Sequence, residues 1–373
     1  MSEGHQEISK IQVVSRIKSI DGLRGLAIVL VVGFHTYARW PSHIPWVTLY
    51  KDVSTFKYGF LGVELFFLIS GFVIYRTLQK CTSFKEFLLR RWLRLFPAMF
   101  VASFLIYISS FYLTERPGGP IKFLDMISGL LFIEDDILNK IQTFHEIKTI
   151  EGAFWSLFVE IKFYLVFGAL YFYKPSKAFL NLVLIFLAYF LCSVLFKYYS
   201  NQFPQKINET FSAIFSLRYI GWFCVGAAQY MAYSTQKRIY KYASFLLMLP
   251  TSWMMSGNNI SLFLACWIVF IIFYLAINNK IVSYLFSSKN AVFIGFISYP
   301  LYLIHENALV ALTIKSRNFF SFLPDFYKPL PVIIVISTLA YLIAKFAEPK
   351  IRAFIENLFG PKKNTLSIKS DNA

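Results

Sequence analysis

Acidic residues are scarce in this chain: 20 Asp and Glu stand against 37 Lys and Arg in 373 residues, and charged residues of both signs make up only 15%. So thin a supply of charge leaves no polar stretch long enough to build a soluble domain. Cysteine is scarce too. Cys81, Cys192, Cys224 and Cys266 form no CxxC pair and three of them lie in apolar runs, so no disulfide framework is expected. The five histidines include no HxH or HExxH arrangement and no helical cluster with carboxylates, which removes the case for a metal. No internal repeat is visible, and that weakens a transporter reading, because many transporter folds are built from repeats. A cleavable signal peptide is not expected either. The first 18 residues are polar, and the run after them lacks a short apolar region with a small-residue cleavage site.

What the chain has in abundance is apolar surface. Hydrophobic residues make up 57% and aromatics 19%, the composition of an integral membrane protein. A crossing needs about 20 apolar residues. Runs of that kind lie near 20–39, 59–78, 95–113, 154–173, 178–197, 211–232, 241–256, 260–277, 291–313 and 330–347. The expected fold is therefore all-α: a polytopic transmembrane helix bundle of about ten crossings. A net charge of +17 could suggest nucleic acid, yet the basic residues gather in alternate short loops. Membrane topology explains that placement and nucleic acid does not. With both termini cytoplasmic, every Lys- and Arg-rich loop falls inside. Residues 121–133 are too short to span, and counting them as a crossing would reverse the sign of every later loop. They are expected as a re-entrant or interfacial helix on the outer side, followed by an acidic outer stretch at 134–151. The domain reading is a polar cytoplasmic N-terminus at 1–18, a transmembrane domain at 19–360 and a disordered cytoplasmic tail at 361–373.

The stretch 19–41, SIDGLRGLAIVLVVGFHTYARWP, carries Arg24 near its start and His35 near its end. Eleven helical steps return to within ~20° of the starting direction after ~16 Å of rise, so both side chains share one face at two depths. Ionisable groups inside a membrane helix usually face a bundle interior or a water-filled cavity. For Arg24, snorkelling to the inner interface is the competing explanation. The assumed topology puts other polar groups at the depth of His35. Ser298, Tyr302 and His305 form one stripe beside Pro300, where a kink is expected. Ser156 and Glu160 lie one turn apart on another crossing, and Glu64 lies on a third. Inter-helix hydrogen bonding accounts best for Ser298 and Tyr302, but a buried carboxylate needs a charged partner or a raised pKa. Lys162, inside an apolar run, has no explanation at this level. On the inner side, Arg90, Arg91 and Arg94 fall within about one helical turn. Such a cluster suits phosphate recognition, with topology and anionic lipid headgroups as the plainer account.

Five segments in order, IDGLRGLAIVLVVGFH, GFLGVELFFLISGFVI, RRWLRLFP, WSLFVEIKFY and SYPLYLIHE, together with AEP near residue 348, resemble the acyltransferase-3 family of membrane acyltransferases, which O-acetylate bacterial surface glycans. Glu64 departs from the family pattern, where Asp is usual. The soluble esterase-like domain that some relatives append is not expected from these residues. The resemblance implies a multi-pass protein of the bacterial inner membrane and transfer from cytoplasmic acyl-CoA, most simply acetyl-CoA, with no tightly bound cofactor. The implied acceptor is a surface glycan or lipid-linked glycan such as lipopolysaccharide O-antigen. Arg24, Arg90, Arg91 and Arg94 would then bind the donor, and His35 would act as general base with Glu160 orienting its ring. An acyl-histidine intermediate is the mechanistic alternative. A flippase or transporter for a lipid-linked glycan is the alternative function.

Overall fold

The computed structural model describes residues 17–141, 146–198 and 215–359, and every regular element in them is helical. The expectations for residues 1–16, 142–145, 211–214 and 361–373 lie outside the described residues. In chain order the α-helices of six residues or more are α1 (Lys18–Tyr37), α2 (Gly62–Leu78), α3 (Phe84–Ser110), α4 (Met126–Leu131), α5 (Asp135–Ile141), α6 (Trp155–Tyr173), α7 (Ala178–Tyr198) and α8 (Leu217–Thr235). There follow α9 (Arg238–Ser256), α10 (Ile260–Asn278), α11 (Lys280–Phe286), α12 (Lys289–Ile304), α13 (Glu306–Ser316), α14 (Pro329–Leu342) and α15 (Glu348–Phe359). Each apolar run therefore forms a helix, and polar residues mark the ends. Ser83, Asn259, Asn279 and Ser288 each accept a backbone N–H from the first turn of α3, α10, α11 and α12.

By length and composition, 7 of these helices can cross a membrane, or 8 if the pair α11 and α12, bent by 60°, counts as one span. The expected ten crossings include α8 and α9, which fall outside that set. For α8 the reason is visible in where it sits. Helix α8 is buried along most of its length and carries Gln229, whose amide donates to Ser244 of α9 at 2.6 Å. A helix enclosed by others needs no continuous apolar surface for lipid.

Two further expectations are refined. Helix α12 runs on through Pro300 without interruption and breaks at His305, where α13 begins, so the expected crossing at 291–313 is two helices. Residues 121–133 form a short helical piece, one 3₁₀ turn at Phe123–Asp125 followed by α4, closed by Phe132 in the left-handed conformation (φ 55°). Lys162 now has an explanation. Its ammonium meets Glu134 at 2.8 Å and Ser216 at 3.2 Å, so a cation on the second turn of α6 ties the segment after α4 to the bundle.

The core is built where glycines let backbones touch. Helix α1 packs on α12 and α2, and α2 packs on α8. A Cβ on Gly22 would fall 1.8 Å from the Phe286 carbonyl oxygen, and one on Gly295 1.8 Å from that of Asp21. Between α2 and α8, a Cβ on Gly226 would lie 2.0 Å from the Leu68 carbonyl oxygen. Close approach of this kind drives membrane helices together through dispersion rather than hydrophobic transfer. Gly226→Ala is expected to destabilise the protein by about 1–3 kcal/mol, because backbone cannot yield as a flexible side chain can. Gly33→Ala is the control: its Cβ would meet only Phe56 ring atoms at 3.5 Å. Thermal unfolding in detergent should separate the two, and equal midpoints would contradict the packing argument.

Candidate active site

The side chains of α1 and α12 meet twice, once at each end. At the Arg24 end lies a cavity of about 480 Å³ lined by Asp21, Arg24, Arg76, Arg94, Glu348 and Arg352, with Ser298, Tyr299 and Pro300 on its α12 wall. Four guanidinium groups thus face two carboxylates. Asp21 holds Arg24 at 2.9 Å, and Glu348 holds Arg352 at 2.6 Å. A π turn at Ile343–Ala347 precedes Glu348 and Pro349 and brings α15 to the cavity edge. Such turns relieve the clash a proline ring makes with the preceding helical turn.

The expected arginine cluster divides. Arg94 lines the cavity. Arg91 is buried beside it with its guanidinium over the Tyr164 ring at 5.7 Å, and both lie within electrostatic range of Arg24. Arg90 lies elsewhere, half exposed and paired with Glu86 at 2.6 Å, so it does not join the cavity. Arg76 and Arg352 are the members that sequence reasoning missed, although Arg352 sits four residues after the Glu of AEP.

At the other end His35 and His305 come together. His35 Nδ1 lies 3.1 Å from His305 Nε2 and 3.0 Å from the Val31 carbonyl oxygen, and His305 Nδ1 lies 2.8 Å from that of Tyr302. The carboxylate at His35 is Glu306, its Oε1 at 3.5 Å from Nε2. Glu160 does not take that place. Its Oε1 accepts from Ser70 and, at 2.5 Å, from Tyr164, and its charge bears on Arg24 and Arg91 instead. The carboxylate expected beside His35 was Glu160, and the structure places Glu306 there instead.

The remaining candidates have local partners. Tyr302 donates to the Ala153 carbonyl at 2.9 Å and meets Ser156 at 2.8 Å, which pins the start of α6 to α12. Ser298 donates to the Gly295 carbonyl of its own helix at 2.8 Å. Glu64 is buried in the first turn of α2, with one carboxyl oxygen lacking a hydrogen-bond partner among the described residues, and Arg218 is the cation in electrostatic range.

Behind Glu306 lies a second carboxylate, Glu151, which in sequence is only the last charge of an acidic loop. Glu151 accepts from both the backbone N–H and the side-chain amide of Asn307. Arg116 stands near it, donating to the carbonyls of Gly119 at 3.0 Å and Ile150 at 2.5 Å. Burial, and then the charge of Glu306, push the Glu151 carboxyl up to about 8. Burial also pulls Arg116 below its ordinary value, opposed by Glu151 and Glu306.

Fold and site define a polytopic helical membrane protein with ionisable groups buried at two depths. Residues 17–346 match the acyltransferase-3 family, described as an acyltransferase domain, and the chain belongs to that family. It is similar to the peptidoglycan O-acetyltransferase OatA of Listeria monocytogenes, 29% identical over 164 residues, which are 41% of this chain and 24% of the relative. It is also similar to the O-acetyltransferase OatA of Staphylococcus aureus, 30% identical over 175 residues, 43% of this chain and 26% of the relative. The matched part thus spans about a quarter of the length of these relatives. No solved structure matches the chain.

The raised Glu151 carboxyl has a consequence for stability. Its folded value of about 8 exceeds the ordinary 4.5, so the folded protein binds the extra proton between those pH values. Stability is therefore full below about pH 4.5 and falls as pH rises toward 8, with a slope of up to about 1.4 kcal/mol per pH unit. Glu151→Gln should flatten that slope in unfolding curves recorded from pH 5 to 8. An unchanged slope would show that Glu151 is ionised throughout.

Proposed function

We propose that the protein is a membrane O-acyltransferase, in the simplest case an O-acetyltransferase, moving an acyl group from cytoplasmic acyl-CoA to a hydroxyl of a cell-envelope glycan. The observation that carries this reading is the coupling of two sites by one helix pair. An arginine-lined cavity and an imidazole–carboxylate cluster stand about 16 Å apart along α1, from Arg24 to His35. Guanidinium groups suit the phosphates of the donor. Its thioester arm would cross the bilayer toward His35, which receives the acceptor from the other side.

The chemistry balances without further reagents. His35 takes the proton of the acceptor hydroxyl as the oxygen attacks the thioester carbonyl. The tetrahedral intermediate then collapses, the C–S bond breaks, and the same proton returns to the departing thiolate. On this reading the chain makes ten crossings of a bacterial inner membrane with both termini cytoplasmic, and the arginine cavity opens inward. The acceptor is taken as an envelope glycan. The name of the Listeria relative directs attention to peptidoglycan, while the motif resemblance suggested O-antigen, so both belong in the acceptor panel.

Binding and transfer should separate by mutation. Arg94→Ala and Arg352→Ala are expected to weaken binding of acetyl-CoA to the protein in nanodiscs by about tenfold each, the loss of one charge-assisted contact. Arg90→Ala should stay within about twofold, since Arg90 is held outside the cavity. Identical losses in all three would return the arginines to a general surface effect.

His35→Ala should lower acyl transfer by about 10²–10⁴ while leaving acetyl-CoA affinity intact. Transfer is measured with labelled acetyl-CoA and glycan acceptors on monodisperse protein. Near wild-type transfer in this variant would remove the chemical core of the proposal.

A further inference from the structure

The outer cluster fixes which ring nitrogen can act. A carbonyl oxygen only accepts, so the Tyr302 carbonyl at 2.8 Å requires a hydrogen on His305 Nδ1. Neutral His305 then presents a bare Nε2 to His35 Nδ1, 3.1 Å away. His35 Nδ1 also faces the Val31 carbonyl at 3.0 Å. With an acceptor on both sides, His35 Nδ1 must carry a hydrogen. Protonated His305 would reverse this: its Nε2–H would need a bare His35 Nδ1, which would then oppose the Val31 carbonyl lone pair to lone pair. Both rings are thus held as the Nδ1–H tautomer. The lone pair of His35 is then on Nε2, 3.5 Å from Glu306 Oε1, so with Glu306 ionised two acceptors face one another there until a proton enters between them.

Glu306 is placed to receive charge there. It is the first residue of α13, an eleven-residue helix whose N-terminal dipole favours an ionised carboxylate. It is also 4% exposed, packed against Gly152, where a Cβ would come within 2.8 Å of Oε2. The other ionisable groups around the pair are His305 and Tyr302 from α12, Glu151 before α6 and Arg116 after α3, with Glu64 and Glu160 in electrostatic range of Tyr302. Neither Glu64 nor Glu160 makes a hydrogen bond to His35, and Glu160 is held by Ser70 and Tyr164.

We propose that Glu306 is the positioning carboxylate of this centre and His305 the group that sets the tautomer of His35, so that the acceptor proton goes to His35 Nε2 against Glu306. The proposal rests on the acyl-transfer reading and on His35 as its base. The proton moves from the acceptor oxygen to Nε2, is held there opposite the carboxylate while the C–O bond forms and the C–S bond breaks, and ends on the thiolate. Glu306 itself gains and loses nothing.

The test compares Glu306→Gln, Glu306→Asp and His35→Gln for acetyl transfer across pH, with acetyl-CoA as donor. Glu306→Gln is expected to lower kcat by at least about tenfold, to leave the KM for acetyl-CoA within about twofold, and to move the acid-side limb of the pH profile down by about one unit. Glu306→Asp should recover part of both effects, because it restores the charge at a longer distance. A carboxylate that only supports the fold would lower activity without moving the limb, and that result overturns the proposal. Active His35→Gln would overturn the base assignment as well. Inactive His35→Gln with an unmoved limb in Glu306→Gln would defeat this proposal alone. Should Glu306→Gln fail to fold, ¹⁵N-histidine spectra of the wild-type protein above the acid limb decide the matter. Protonated Nδ1 with bare Nε2 on both His35 and His305 supports the proposal, and protonated Nε2 on His35 overturns it.

Discussion

The contact between the backbones of α1 and α12 is the constraint on which the site depends. Gly25 and Gly295 remove the side chains that would hold these helices apart: a Cβ on Gly25 would fall 2.6 Å from the Ala291 carbonyl oxygen, and one on Gly295 1.8 Å from that of Asp21. Two helices this close share a seam along their length, so residues on that seam are placed at both ends by one interface. Arg24 and Ser298 fall at the cavity end. His35 and His305 fall at the other, with Tyr302 between them on α12. Moving the pair apart by the width of a methyl group would disturb both ends at once.

Charge is handled differently at the two ends. In the cavity, guanidinium groups outnumber carboxylates, and each carboxylate is already engaged by an arginine one turn or less away on its own helix. That leaves a surplus of positive charge lining an open volume, which an anion can neutralise. The histidine end has no such surplus. Two imidazoles, Glu306, Glu151 and Arg116 are packed with backbone carbonyls and the Asn307 amide. An environment of that kind favours moving a proton between fixed partners over capturing a large ion.

The sequence made the helices, the motif order and the His35–Arg24 face legible, because hydropathy and a 3.6-residue period depend on the chain alone. What it could not give was the depth and azimuth of one helix against another. Arg90, Arg91 and Arg94 are close in sequence, yet Arg90 pairs with Glu86, one turn nearer the start of α3, and is lost to that partner. Glu160 has the right residue type, but its face of α6 turns toward Ser70 and the arginines. Glu306 was hidden by periodicity itself. It stands ~100° around a helix from His305, so a stripe read along one face leaves it out, although both residues reach His35. Glu151 shows the same limit from another direction, since an acidic outer loop satisfies the topology rule whether or not its last carboxylate folds back into the bundle.

Burial of the histidine cluster fits the proposed reaction because of how its protons balance. Transfer of an acyl group from a thioester to a hydroxyl consumes one O–H and produces one S–H, so no proton has to enter from or leave to bulk water. A base that only carries a proton from one substrate to the other can work in a sealed place, provided that its charged state is held while the proton is in transit. His35 Nε2 faces both requirements. Its other nitrogen is committed to Val31 and His305, which keeps the ring oriented, and Glu306 stands opposite the nitrogen that becomes charged.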